Sequence, residues 1–142
     1  MSLNDISEHE LRATAVHEAG HLVAIRALGG AGHARVWANH LRRADVKAWC
    51  GRMQTLVAPN VGGWEVIVGL AGLVAELVDR SENDAEAIAR QIQSRGDLDE
   101  IAVMDPVVMT AQVQRTLDLL LPRWSEVLWE TDWMERNCES AA

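Results

Sequence analysis

Good helix formers and apolar side chains run through Ala13, Ala15, Ala19, Leu22, Ala24, Ile25 and Leu28, which predicts a helix over about residues 8–28. Its ends carry signals too. Ser7 and Glu10 fit a capping box, Ile6 and Leu11 fit the hydrophobic staple around it, and Gly29-Gly30 supplies a left-handed stop. Gly20 interrupts this run at a cost of about 1 kcal/mol relative to Ala. A glycine at such a place implies that something packs close to the backbone.

The pattern changes between about residues 34 and 58, where alternation replaces helical spacing. Ala34–Ala38 and Ala48–Val57 read as two short strands, joined by a polar connection containing Arg42, Arg43, Asp45 and Lys47. Pro59-Asn60 ends the small sheet, and Gly62-Gly63 precedes a helix over about 64–78. Val66, Ile67, Leu70, Leu73, Val74 and Leu77 make that helix apolar on most sides, so it belongs at the centre of the core. Gly69, Ala71 and Gly72 leave room for another helix to approach it.

The remainder, about residues 84–136, reads as helices. Asp84 opens a short polar one, Gly96-Asp97 begins another ending near Met104, and Asp105-Pro106 caps a third that runs to about Leu121. The last starts near Pro122 and reaches about Arg136. Leu117, Leu120, Leu121, Trp124, Val127, Leu128 and Met134 follow helical spacing as core positions of a C-terminal bundle. Trp129 and Trp133, four apart, share a face that would be a dimer or adaptor contact if exposed. The expectation is one domain over residues 1–142 of a mostly helical α+β class.

Composition narrows the setting. Thirteen Lys and Arg against 21 Asp and Glu give a net charge of −8, which argues against a nucleic-acid binder. The excess is uneven, with seven basic and five acidic residues among 1–60 and six and sixteen among 61–142. Six Trp are present with no Phe and no Tyr. Cys50 and Cys138 form no CxxC pattern and read as free thiols of a reducing compartment. The first residues resemble no signal peptide, and the longest apolar stretch, Val66–Ala75, is about half of a membrane span. A cytoplasmic protein without membrane contact is expected. No glycine-rich phosphate-binding loop is present, so ATP use is not expected.

The string that carries chemistry is His17-Glu18-Ala19-Gly20-His21. On a helix, residues four apart share a face, so both imidazoles can reach one Zn2+. Glu18, beside the first ligand, can take a proton from water attacking a carbonyl carbon and return it to the leaving amine. Catalytic zinc needs three protein ligands and an open position. His9, His33 and His40 read as surface residues, and position 27, where a longer zincin pattern has a third His, is Ala. The third ligand must then be acidic. Asp97 and Asp84 both open helices, and Glu76 lies on the apolar central helix, where its charge needs a metal or a polar partner. An ordinary helix cap explains either aspartate equally well.

Three blocks resemble the FtsH-type peptidase domain. Ala15–Ala24 is similar to its zinc helix, Leu70–Leu77 to its AG–xx–AE helix, and Gly96–Glu100 to its Asn-Asp-Leu segment. The resemblance spans roughly residues 12–104. It implies a zincin-like HEXXH helix with His17, His21 and Asp97 as zinc ligands, Glu18 as catalytic base, and Glu76 beside a ligand imidazole. Two departures matter: the chain carries neither the family's ATPase module nor its membrane anchor, and Gly96 stands where the family has Asn. The expected activity is zinc-dependent, ATP-independent hydrolysis of peptide bonds in short or unfolded polypeptides. A second copy of the chain or a separate ATPase are the protein partners considered.

In zinc peptidases an edge strand can bind an extended substrate by β-addition. Gly51 and Arg52 on the second strand are assigned to this: Gly51 would let a substrate backbone approach, and Arg42, Arg43, Lys47 and Arg52 would favour acidic or carboxylate-bearing peptides, the alternative being that these charges form a solvated face. Two rivals remain: a zinc-binding regulatory or adaptor module without proteolytic activity, and a purely structural helical protein. With no Tyr in the chain, stabilising an oxyanion falls to zinc, backbone N–H groups or another side chain.

Overall fold

The computed structural model describes residues 3–39, 48–95 and 104–138. They form α1 (Leu3–Ala27), a hairpin of β1 (Ala31–Ala38) and β2 (Trp49–Val57), α2 (Trp64–Asp79) and α3 (Ala85–Arg95). Then follow α4 (Pro106–Leu120), a 3₁₀ turn (Leu121–Arg123) and α5 (Trp124–Arg136). The mostly helical α+β class expected from the sequence is the one observed.

Helix α1 ends as its glycines dictate. Gly29 takes φ 92°. Its N–H bonds to the Arg26 carbonyl at 3.0 Å, and the Gly30 N–H to Ile25 at 2.9 Å, the paired bonds of a Schellman stop. The start differs from expectation. The helix begins at Leu3, so Ser7 lies within it and not at its start. No Pro or Gly separates Leu3 from Ser7, and serine in a helix interior costs only a fraction of a kcal/mol, roughly 0.5. Glu10, the other half of the expected box, accepts instead from the Ala48 N–H at 2.8 Å and ties α1 to the start of β2.

The hairpin is antiparallel, with Ala34 opposite Met53, Arg35 opposite Arg52 and Val36 opposite Gly51. Successive side chains alternate between faces. Ala34 and Val36 are buried, whereas His33 and Arg35 are exposed. Strand β1 starts at Ala31, before the expected Ala34, because pairing with Thr55 and Val57 supplies what Ala31 and Gly32 lack in intrinsic strand preference. Both strands lie on α1, and β1 also touches α5; among the described residues β2 pairs only with β1. The expected connection at Arg42, Arg43, Asp45 and Lys47 lies outside the described residues.

Helix α2 is the central one, with Ile67, Val68, Leu70–Ala75 and Leu77 buried. It crosses α1 antiparallel, since His17 meets Glu76 while His21 meets Val68. Gly20 permits this crossing: a Cβ there would stand 2.4 Å from the Ala71 carbonyl oxygen and 2.7 Å from Ala75 Cβ. Two arginines of α1 fasten the bundle. Arg12 forms a two-bonded pair with Asp79 of α2, at 2.9 and 3.2 Å, and reaches Glu135 of α5 at 3.2 Å. Arg26 reaches Glu130 of α5 at 2.7 Å.

At α4, Asp105 Oδ1 accepts from the Val107 and Val108 N–H groups and Pro106 occupies the first turn. Trp129 and Trp133 of α5 are exposed. Among the described residues no helix is long and apolar enough to cross a membrane. The helix expected from Gly96-Asp97 lies outside the described residues.

Candidate metal centre

The HEXXH string occupies the middle of α1, on the face that meets α2. Four-residue spacing puts both imidazoles on that face. Ala15, Val16, Ala19, Leu22 and Val23 around them are buried and hold the helix in place. Helix α2 answers with a stripe of the same spacing: Val68, Gly72 and Glu76.

Each imidazole is oriented by α2 through its Nδ1. His17 Nδ1–H donates to Glu76 Oε2 at 2.8 Å, and His21 Nδ1–H donates to the Val68 carbonyl at 2.5 Å. A ring whose Nδ1 donates in this way presents a lone pair at Nε2. Burial, helped by the nearby His17, pulls the His21 imidazole down to about 4, so it is neutral at ordinary pH. The two rings meet edge to face with centroids 4.6 Å apart.

Gly72 makes the space in front of both Nε2 atoms. A Cβ at that position would lie 2.5 Å from His17 Nε2 and 2.6 Å from His21 Nε2. The glycine is therefore required by the imidazoles, and it leaves a recess where their lone pairs converge.

Glu18 completes the group. Its carboxylate and the two imidazoles offer ligand atoms all within 4.8 Å of one another. The side chain is only 5% exposed, and its Oε2 is buried without a hydrogen-bond partner among the described residues. Burial raises the Glu18 pKa above the usual carboxylate range; His17 opposes the rise and Glu76 adds to it. An orphaned, desolvated carboxylate oxygen is costly, on the order of 1–3 kcal/mol, unless a cation or water meets it. Two imidazole nitrogens converging on a recess cleared by glycine, with a carboxylate beside them, suit Zn2+.

Strand β2 closes the other side of Glu18. A Cβ on Gly51 would stand 2.7 Å from Glu18 Cγ and 2.8 Å from Thr14 Cγ2, so only glycine lets the strand run this close. Arg52 lies on the opposite face of the hairpin. There it lines an open pocket of about 250 Å³ with His33, Arg35 and Gln54. Gly51 and Arg52, assigned together from the sequence, thus look in opposite directions.

Of the acidic candidates for a third ligand, Asp84 is used as a helix cap. Its Oδ2 accepts from the Ala87 N–H at 2.9 Å, and it does not join the converging group. Glu76 is engaged by His17 Nδ1. Asp97 lies outside the described residues. Sequence reasoning noted Gly72 only as a place of helix approach and missed its relation to the imidazoles. The signal was present in its position four residues before Glu76. The Val68 carbonyl left no such signal, because any residue supplies one.

No family model matches the chain, and no curated protein matches it.

Proposed function

We propose that this chain is a zinc-dependent metallopeptidase of FtsH-like type that hydrolyses peptide bonds in short or unfolded polypeptides without ATP. The observation that carries the reading is the convergence of His17 Nε2 and His21 Nε2 on the recess at Gly72, with the Glu18 carboxylate beside them. His17 and His21 would hold the metal, and Asp97 would complete the set in the resemblance described above. The opposition of His17 and Glu76 lends weight to that resemblance, because it joins two sequence blocks 59 residues apart.

When bound, zinc supplies polarisation of the scissile carbonyl and lowers the pKa of water at the site. Glu18 accepts a proton from the attacking water at its carboxylate and delivers it to the nitrogen of the leaving amine. Glu76 keeps the His17 ring in the tautomer that presents Nε2, and the Val68 carbonyl does the same for His21. Strand β2, brought against Glu18 by Gly51, offers its free edge for an extended substrate backbone. The free thiols Cys50 and Cys138 support a reducing, cytoplasmic setting.

Replacing Glu18 with Gln tests the assignment. The variant retains zinc at the wild-type stoichiometry and loses peptidase turnover by a factor of roughly 10²–10⁴. Wild-type protein that holds zinc yet cleaves no peptide would instead support the regulatory or adaptor module.

A further inference from the structure

Helix α5 turns one face to α1 and the opposite face to solvent. Val127, Glu130, Thr131 and Met134 are buried, and Arg12 and Arg26 of α1 hold Glu135 and Glu130 on that side. Trp129 and Trp133, 58% and 40% exposed, stand on the other side, and Arg136 beyond them is exposed too. Glu126 lies at the edge of this face, about one turn before Trp129, with Arg26 3.4 Å from its carboxylate. Glu126, Trp129, Trp133 and Arg136 are separated by three, four and three residues, the spacing of a heptad seam. Two indoles side by side in water, with a charge of opposite sign at either end, form an exposed apolar stripe of the sort that marks an interaction site.

We infer that this seam docks a second copy of the chain, with the two α5 helices antiparallel about a two-fold axis. The charges select both the occupant and its direction. Reversal about a point midway between Trp129 and Trp133 lays each Trp129 against Trp133 of the other copy. The same operation brings Glu126 opposite Arg136, since each lies five residues from that point. A two-fold axis repeats every contact, so one short helix face yields two indole pairs and two ion pairs. A parallel pairing of the seam would instead set Glu126 against Glu126 and Arg136 against Arg136. With −8 on each copy, a second chain is tolerated only where charges are matched, and the seam carries one of each sign. Burial and offset stacking of the indoles drive the contact. Two indoles per copy cover far less than the roughly 1,200–2,000 Å² of a stable complex, so the dimer is weak and reversible, with a Kd of roughly 10–100 μM. The inference does not rest on the peptidase reading, because the seam lies on the side of α5 away from the helix that carries His17 and His21.

Sedimentation velocity of the full chain, from about 1 to about 500 μM without added metal, reads the pairing. Wild type shifts from monomer to dimer across that range and stops at two chains. The double change Trp129→Ala with Trp133→Ala stays monomeric at every concentration. Arg136→Glu alone and Glu126→Arg alone each weaken the dimer about tenfold, because like charges then meet twice. An equimolar mixture of those two single variants pairs as tightly as wild type, because each then supplies the charge the other lacks. All four side chains reach solvent, so circular dichroism of every variant stays at the wild-type spectrum. A wild-type chain that is monomeric throughout overturns the inference and leaves the indole face to a different protein. Assembly beyond two chains, a dimer that survives the double Trp change, or a mixture that pairs no better than its components overturns it as well.

Discussion

His17 and Glu76 face each other across the crossing of α1 and α2, with Nδ1 and Oε2 2.8 Å apart. The contact does two things. It fastens the central helix to the helix carrying the HEXXH string, and it sets the tautomer that leaves His17 Nε2 free. Losing such a partner typically costs a metal site 10–100-fold in affinity. Glu76→Gln should therefore weaken zinc binding by roughly that factor, as read by competition with a chromophoric chelator. Unchanged affinity would show that the carboxylate serves only the packing of the helices.

Gly72 and Gly69 offer a paired comparison on one helix. A Cβ at Gly72 meets both imidazole Nε2 atoms at 2.5–2.6 Å, whereas a Cβ at Gly69 meets nothing within 4 Å. Gly72→Ala should displace the rings, abolish stoichiometric zinc binding and lower stability by about 1–3 kcal/mol through overpacking. Gly69→Ala should leave zinc binding intact and stabilise the chain by up to about 1 kcal/mol through helix propensity. Zinc titration with thermal melts of both variants checks the pair. Equal zinc affinity in the two would remove the recess from the account.

Arg12 joins three helices, through Asp79 and Glu135, but its side chain is about one third exposed. Solvent screens such a pair, so Arg12→Met should cost only about 1 kcal/mol in dilute buffer and less in 1 M salt. Urea melts at both salt concentrations measure it. A loss that does not shrink with salt would point to packing of the arginine stem instead of its charge.

Metal removal should act on stability as well as on activity. A ligand present at about 100 times its Kd stabilises the folded chain by about 2.7 kcal/mol. Chelator-treated protein should melt several degrees lower, and zinc should restore the melting temperature in wild type but not in His21→Ala. Magnesium, which prefers oxygen ligands, should not substitute.

Much of this architecture was legible because local chemistry and tertiary demand coincide. Gly29 ends α1 and Asp105-Pro106 opens α4 because each has a single backbone role that its side chain dictates. The start of α1 was misread for the opposite reason. Ser7 and Glu10 satisfy a local capping pattern, but nothing upstream breaks the helix, and Glu10 finds a better partner in the backbone of Ala48. At the site, helical spacing alone put His17 and His21 together. The partners on α2 depend on which face of that helix meets α1, and a helix apolar on most sides does not declare this. Arg52 shows a limit of another kind. Its place on the face away from Gly51 follows from period-two alternation, yet its position opposite Arg35 depends on the hairpin register, which the sequence does not declare.

The central claim is that α1 and α2 build a metal centre from His17 and His21. Titration of chelator-treated full chain with zinc, followed by calorimetry, tests it most directly. The account predicts one zinc per chain in wild type and in Glu18→Gln, and loss of that stoichiometric binding in His17→Ala and in His21→Ala. Wild-type protein that binds no zinc, or binds it equally after both histidines are removed, would contradict it.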